Sequence, residues 1–265
     1  VSVVVIIPAR CASARLPGKP LADIAGKPMI AHVLRRAREA RGVDRVIVAT
    51  DDVRIAKAVE AEGGEAVMTS ADHASGTDRV AEVARGLAAD VVVNVQGDLP
   101  LLDPGLVESA IAALRGGAGG DGAEPRMATL ATPLLPAERG RDQVVKVVCD
   151  RFGDALYFSR LPVPWGDDAG HDGATALRHI GLYAYRRTFL VEIAGLARTP
   201  LERRERLEQL RVLEHGHRIR VAVVETLESM IEVDTPEDLE RVRALLAVRP
   251  PGQTPGGEGM RARHG

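Results

Sequence analysis

The 265-residue chain sets 35 Lys and Arg against 37 Asp and Glu, a formal net charge of −2, and is 45% hydrophobic and 27% charged. That composition excludes an intrinsically disordered, collagenous or repeat-fibre chain and suffices for a substantial buried core. The near balance of charge gives no electrostatic footprint for nucleic acid or an anionic membrane. Cys11 and Cys149 are too few for a disulfide framework and lack metal-ligand spacing, so a reducing cytoplasm is the expected setting.

Residues 3–7 are β-branched without a break, as in a strand covered on both faces, and the run ends at Pro8 and Arg10 without the pattern of a signal peptide. A polar, glycine-containing loop follows over 8–27, too long for a simple connector. Pro28 is expected to open a helix whose Ile30, Val33, Leu34 and Ala37 share a face. Residues 43–50 read as a strand, Asp51-Asp52 as the approach to a helix that stops at Gly63-Gly64, and 66–69 as a short strand. Ser75-Gly76-Thr77-Asp78 has capping-box spacing ahead of a helix over 80–87. Residues 90–96 form the next strand, broken at Gly97-Asp98-Leu99-Pro100, and Asp103-Pro104 opens another helix. Strand, loop and helix repeated in this order predict an α/β fold with a parallel sheet.

The glycine-rich stretch 116–125 is expected to be a mobile surface loop. Strand candidates at 127–132, 144–149 and 155–159 have little helix between them, which predicts an antiparallel addition. Residues 178–185 add a strand, and Thr199-Pro200-Leu201-Glu202 starts one charged helix running through Leu213 and closed by Gly216. Residues 218–224 and 231–233 read as strands, and Thr235-Pro236-Glu237-Asp238 opens a last helix to Leu246. Residues 249–265, rich in Gly and Pro, are expected to be a disordered tail. No run approaches the ~20 apolar residues of a membrane-spanning helix, so a soluble protein is expected.

Ligands of open parallel sheets sit beyond the carboxyl ends of the strands, so the loops after residues 7, 50, 69 and 96 should share one rim. The first carries Arg10, Arg15, Lys19 and Lys27 against a single acid, Asp23, which suits a polyphosphate. On composition alone a solvated basic loop explains it better, and it matches neither a Walker A loop nor GxGxxG. Asp98 and Asp234 both follow strands and could hold Mg²⁺ if they converge; each also fits a turn or helix-start aspartate. Asp52 is explained as a helix N-cap, and Cys11 and Trp165 as structural residues.

Seven collinear segments carry a family resemblance. They are Ile7-Pro8-Ala9-Arg10 with residues 13–21 (SARLPGKPL), Ser75-Gly76-Thr77-Asp78-Arg79, Asn94-Val95-Gln96-Gly97-Asp98, Tyr157-Phe158-Ser159-Arg160, residues 178–183 (RHIGLY), residues 207–211 (LEQLR) and residues 233–239 (VDTPEDL). Together they closely resemble the 3-deoxy-manno-octulosonate cytidylyltransferases, or CMP-Kdo synthetases, over roughly residues 3–246. Seven ordered matches are far more specific than one motif.

The resemblance implies a Rossmann-like nucleotidyltransferase fold of glycosyltransferase-A type, with a mostly parallel mixed sheet and an antiparallel addition. It implies a single domain over 1–248, with CTP binding over about 1–125, sugar binding and dimerisation over about 126–215, and a return to the main sheet over 216–248. The implied enzyme is a homodimer that uses Mg²⁺ to convert CTP and the acid sugar Kdo to CMP-Kdo and pyrophosphate, for lipopolysaccharide assembly. By matching position, Arg10, Arg15 and Lys19 should bind the CTP phosphates, and Ala9, Ser75, Thr77, Arg79 and Gln96 should line the nucleotide. Asp98 and Asp234 should hold Mg²⁺, with Arg15 and Lys19 joining them as the catalytic set. Gln96, Arg160, His179, Tyr183, Glu208 and Gln209 should contact Kdo. His179 also reads as a buried structural histidine, and Glu208 and Gln209 also fit a solvated helix face.

Two departures stand out. Leu99 occupies a position where the resemblance leads one to expect Glu beside the metal ligand, and Ser229-Met230-Ile231-Glu232 replaces an expected glycine, with Glu232 restoring local negative charge. The rival readings are a CMP-sugar synthetase for 8-amino-Kdo or a sialic-acid-like sugar, a glycosyltransferase using a preformed nucleotide sugar, and a non-catalytic nucleotide-binding homologue.

Overall fold

The computed structural model describes residues 1–12, 15–73, 75–117, 123–166, 176–225 and 231–248. In chain order the first half comprises β1 (Val3–Ala9), a 3-10 turn (Lys19–Leu21), the hairpin β2 (Asp23–Ile24) and β3 (Lys27–Pro28), α1 (Met29–Arg38), β4 (Arg45–Thr50), α2 (Val53–Ala61), β5 (Glu65–Met68), α3 (Gly76–Arg85), β6 (Val91–Asn94) and α4 (Pro104–Arg115). The second half comprises β7 (Met127–Pro133), β8 (Lys146–Cys149), β9 (Ala155–Ser159), β10 (Leu177–Arg186), α5 (Arg187–Ala194), α6 (Pro200–Glu205), α7 (Gln209–Glu214), β11 (Arg220–Val223) and α8 (Pro236–Val248).

The main sheet runs β11-β7-β10-β6-β1-β4-β5, with β8 added to β10 and β9 to β8. β1, β4, β5 and β6 are mutually parallel where they pair, and Val5 of β1 sits between Val46 and Val93. The chain steps outward from β1 to β4 and β5, then returns to the other side of β1 with β6. That reversal is a topological switch point, where the helices on neighbouring strands diverge and leave a crevice at the strand ends. β10 lies antiparallel to β6, β7 and β8, and β8 to β9, which is the antiparallel addition expected from sequence.

Strand periodicity explains the layers. Successive residues of β1 point to opposite faces. Val3, Val5, Ile7 and Ala9 pack with α1 and α4 through Ile30, Val33, Leu34, Leu106 and Ile111. Val4 and Ile6 pack on the other side with Val80, Ala84, Phe189 and Leu190 of α3 and α5. A smaller third core joins Ile24, Met29 and Leu101 to Val233, Leu239 and Val242, docking α8 against the hairpin that closes the long first loop. Arg243 of α8 fastens the same contact by donating from Nε and Nη2 to the Asp23 carbonyl at 2.8 and 2.6 Å.

Several elements differ from the sequence reading. Pro28 is the N-cap of α1 rather than its first residue, because it still pairs with Asp23 in the hairpin. The helix α5 went unread because it follows β10 with no loop between them. The single charged helix expected from Thr199 to Leu213 is two, α6 and α7, interrupted at Arg206 in the left-handed conformation, φ 56°. Residues 231–233 form no strand; Val233 donates one hydrogen bond to the Asp98 carbonyl at 3.0 Å, and its side chain fills the third core. Leu99 points into the main core and is 2% exposed, so the unexpected side chain is a packing residue. Ser13, Ala14, Ser229, Met230, residues 118–122 of the glycine-rich loop and the tail 249–265 lie outside the described residues. Among those described, no helix is long and apolar enough to cross a membrane.

Candidate active site

At the switch point, β1 runs into the basic loop and β6 into Gln96-Gly97-Asp98. The two loops touch: a Cβ at Gly97 would lie 2.8 Å from the Pro8 carbonyl oxygen, so only glycine lets the Asp98 turn come this close. The first loop folds back on itself through Gly18 N–H donating to the Cys11 carbonyl at 3.1 Å. Gly18 has φ 71°, a conformation that favours glycine, and turns Lys19 inward at the start of the 3-10 turn.

Lys19 Nζ lies 2.8 Å from Asp98 Oδ2 and 3.2 Å from Asp234 Oδ1. Arg15 Nη2 lies 2.8 Å from Asp234 Oδ2. Burial works to lower the Lys19 pKa, but the two carboxylates outweigh it and hold the ammonium above its ordinary value. Asp234 is fixed from behind, since its N–H and that of Thr235 donate to Asp238 Oδ2 at 3.1 and 2.9 Å in the capping box that opens α8. Two carboxylates, one in the turn after β6 and one just ahead of α8, therefore meet on one cation. Among the described residues no cluster of three or more His, Cys, Asp and Glu side chains is placed to hold a metal. Two hard oxygen donors beside a cationic loop nevertheless suit a small divalent cation that completes its shell with water and phosphate oxygens.

Around this point a cavity of about 420 Å³ opens, lined by Ala9, Arg10, Arg15, Lys19, Ser75, Arg79, Gln96, Asp98 and Asp234 together with Pro8, Ala12, Pro20, His73, Gly76 and Gly97. Nine residues singled out from sequence are thus brought together. Ser75 lines the wall while its hydroxyl accepts from the Asp78 N–H at 3.1 Å as the N-cap of α3. Arg79 is buried, donating to Asp51 Oδ2 at 3.0 Å and to the Thr69 hydroxyl, so Asp51 anchors a wall residue while Asp52 N-caps α2. Gln96 Nε2 reaches toward Asn94 Oδ1 at 3.4 Å and the Gly181 carbonyl at 3.5 Å, contacts at the long end of the range. His73, bonded to Glu82, was missed; an isolated histidine in a loop carries no sequence signal of its own.

Thr77 turns away from this cavity and donates to Glu208 Oε2 at 2.7 Å, joining α3 to the start of α7. Glu208 Oε1 is buried without a hydrogen-bond donor and lies 3.9 Å from Arg211 Nη2. Gln209 is buried in α7. His179 stacks edge-on against Phe158 at 5.0 Å and lies 5.5 Å from Tyr183. The Thr129 hydroxyl donates to a backbone carbonyl, at 2.9 Å to Leu182 or 3.1 Å to Ile180, and therefore accepts from His179 Nε2 at 3.0 Å; this assigns the proton of the neutral ring to Nε2. Burial pushes the His179 pKa down to about 3. Burial, with Glu208 and Glu232 nearby, raises the Tyr183 phenol. Glu232 reaches the surface but is crowded by protein, and this, with Asp98 and Asp234 facing it, pushes it up to about 7. Arg160 stands apart from the cavity, its Nε and Nη1 donating to the Glu205 and Asp142 carbonyls at 3.0 and 3.1 Å.

A cytidylyltransferase family model matches residues 4–219. A 3-deoxy-manno-octulosonate cytidylyltransferase of Anaeromyxobacter sp. (strain Fw109-5) is 57% identical over 250 residues, covering 94% of this chain and 98% of that protein. The chain belongs to the 3-deoxy-manno-octulosonate cytidylyltransferase family. Another member, from Syntrophotalea carbinolica, is 54% identical over 253 residues, covering 92% of this chain and 98% of its own. The solved structure of a CMP:2-keto-3-deoxy-manno-octonic acid synthetase complexed with CTP superposes with a TM-score of 0.86 at 46% identity, covering 93% of this chain and 99% of that one. This cytidylyltransferase is therefore an enzyme of the nucleotidyltransferase class on the α/β fold expected from its sequence.

Proposed function

We propose that this chain transfers CMP from CTP to Kdo, an eight-carbon acid sugar, releasing pyrophosphate. The observation that carries the reading is the meeting of Asp98 and Asp234 on Lys19 inside a cavity walled by Arg10 and Arg15. The cations bind the triphosphate, Arg10 and Arg15 from the rim and Lys19 from the floor, where it exchanges a carboxylate partner for a phosphate oxygen. Ala9, Ser75, Arg79 and Gln96 line the nucleoside, with Thr77 supporting that wall from behind.

Asp98 and Asp234 would hold Mg²⁺, which when bound polarises the α-phosphate and lowers the pKa of the attacking hydroxyl. The C2 hydroxyl of Kdo attacks the α-phosphorus in line while Lys19 and Arg15 take up the charge that develops on pyrophosphate; the protein's part is positioning and charge neutralisation. His179, Tyr183, Glu208 and Gln209 lie on the sugar side, while neutral His179 serves as a rigid donor within the aromatic stack and not as an acid.

The reading extends to a homodimer. Leu135, Phe152, Leu156, Leu161 and Trp165 are exposed on and around the β8–β9 addition, and among the described residues β9 pairs along its length with β8, with Ala155 at its start also donating to the Ile219 carbonyl at 2.9 Å. An apolar face beside an edge strand is a surface suited to a second copy. Arg160, anchored between Glu205 and Asp142 next to that face, has its sugar role only in such an assembly. The cytoplasm, where CTP is made, is the matching location.

The test is pyrophosphate release from CTP and Mg²⁺, with and without Kdo, beside an Asp98→Ala variant. Release that needs both Kdo and Asp98 supports the reading. CTP binding without release in the presence of Kdo overturns it and directs the assay to related acid sugars.

A further inference from the structure

Arg36 is the one arginine of α1 that the fold buries: it is 8% exposed, while Arg35 and Arg38 are exposed. Its Nε donates to the Leu102 carbonyl at 2.7 Å and its Nη1 is paired with Glu39, whereas Nη2 is buried without an acceptor among the described residues. Leu102 lies just ahead of Asp103, the N-cap of α4, so the cation sits by the end of a helix that disfavours positive charge. A methionine would fill the same space without desolvating a charge or stranding an N–H. Packing alone therefore does not account for an arginine here.

The carbonyl it holds ends the turn that follows Asp98. Leu102 N–H donates to the Leu99 carbonyl at 3.0 Å and closes that turn. Its side chains are pulled two ways, Leu99 and Leu102 into the main core and Leu101 into the third core beside Ile24 and Met29. Apolar packing is non-directional, so it fixes where the leucines sit and not how the peptide planes between them are rotated. Hydrogen bonds fix the planes: Val233 N–H holds the Asp98 carbonyl at 3.0 Å at one end, and Arg36 Nε holds the Leu102 carbonyl at the other. Held in this way, the Asp98 carboxylate meets Lys19 Nζ at 2.8 Å.

We propose that Arg36 is a positioning residue for the transfer reaction, which sets the Asp98 carboxylate in the active site by holding the Leu102 carbonyl. The proposal rests on the reaction given above. Arg36 does not line the cavity around Lys19, and it acts through the backbone of 99–102. The assignment explains why a cation is kept where an apolar side chain would pack at less cost. It also makes α1, which lends no side chain to that cavity, part of the frame that aims the catalytic carboxylate.

Pyrophosphate release tests it, with Kdo varied at saturating CTP and Mg²⁺ and urea midpoints measured alongside, in the wild type, Asp98→Ala, Arg36→Met, Arg36→Met/Asp98→Ala and Arg36→Gln. A misplacement of about 1 Å at a reacting centre costs about 10²-fold in rate, so Arg36→Met is expected to lower kcat about ten- to a hundred-fold with KM for Kdo nearly unchanged. Added to Asp98→Ala, the same change should lower kcat by less than about two-fold, because residues that act through one another are not additive. Glutamine carries its Nε2 as many bonds from Cα as arginine carries Nε, so Arg36→Gln keeps the donor without the charge and should return kcat to near the wild-type value. A purely structural Arg36 would lower the urea midpoint and leave kcat unchanged, or lower kcat equally with and without Asp98; in a wild type that releases pyrophosphate with Kdo, either result overturns the assignment alone. If Arg36→Met does not fold, Arg36→Gln decides: a wild-type kcat supports the assignment and a lowered one overturns it. A wild type that releases no pyrophosphate with Kdo overturns the reaction and the assignment together.

Discussion

Replacing Lys19 by Met removes the one cation that Asp98 and Asp234 share while keeping most of the length of the side chain. Lys19 is 14% exposed, Asp98 26% and Asp234 34%, so the contacts are neither fully buried nor free in water. A charge-assisted hydrogen bond contributes about 1.5–3 kcal/mol when shielded and about 0.2–1 kcal/mol at the surface. Taking the low end of the first range for Asp98 and the middle of the second for Asp234, which Arg15 also neutralises, gives a loss of about 2 kcal/mol. Because the Lys19 pKa is raised above 10.5, its contribution is fully present below that value and fades only as pH rises through the higher folded value. The loss is therefore constant across neutral pH. A divalent cation can take the place of the missing ammonium, so millimolar MgCl₂ should stabilise Lys19→Met more than the wild type in urea unfolding, and EDTA should abolish the difference. In pyrophosphate release the same variant should lose about 10²–10³ in kcat with KM for Kdo nearly unchanged. A larger Mg²⁺ effect on the wild type than on the variant, or an unchanged kcat with weakened Kdo binding, would refute the reasoning.

Other predictions follow from the packing around the site. His179, with its pKa pushed down to about 3, stays neutral in the native state while the unfolded chain protonates near 6.5, so stability falls as pH drops below 6.5 and this term levels off near 3. The linkage amounts to about 2 kcal/mol at pH 5, and His179→Phe should lose that part of the pH dependence when urea midpoints at pH 5 and pH 7 are compared with the wild type. Glu202 and Arg211 are 8% and 7% exposed, and Arg211→Met should cost about 3–5 kcal/mol by stranding a buried carboxylate. Glu202→Met/Arg211→Met should cost less than that single change in the same denaturation assay, because the buried carboxylate is removed together with its guanidinium partner. Leu156→Glu/Leu161→Glu places charge on the exposed face of the β8–β9 addition and should yield a monomer by light scattering; a dimer that survives both changes would place the interface elsewhere.

Local features of this chain were legible because they act over a few residues. Asp52, Ser75 and Asp103 cap α2, α3 and α4 as their spacing implied, and the unbroken β-branched run of β1 is buried on both faces of the sheet. The seven family segments indicated fold class and reaction type together, since several combine a turn or strand end with the side chain it presents. The misread elements were those where tertiary contacts overrule local pattern. Thr199 to Leu213 has the composition of one helix, yet Arg206 breaks it, and residues 231–233 look like a strand but, among the described residues, join no sheet: Val233 bonds to the Asp98 carbonyl and packs into a small core.

The sequence by itself determined the α/β class, most of the strands and helices, the caps of α2, α3 and α4, and a basic loop together with two aspartates that could converge on it. Only the tertiary structure decided that Lys19 meets Asp98 and Asp234, 79 and 215 residues away, and that Thr77 faces Glu208 rather than the cavity around Lys19. Separation along the chain sets only an upper bound on separation in space and does not say which residues meet. It is the return of the chain to the far side of β1, and the docking of α8 on the first loop through the third core, that brings these side chains to one point.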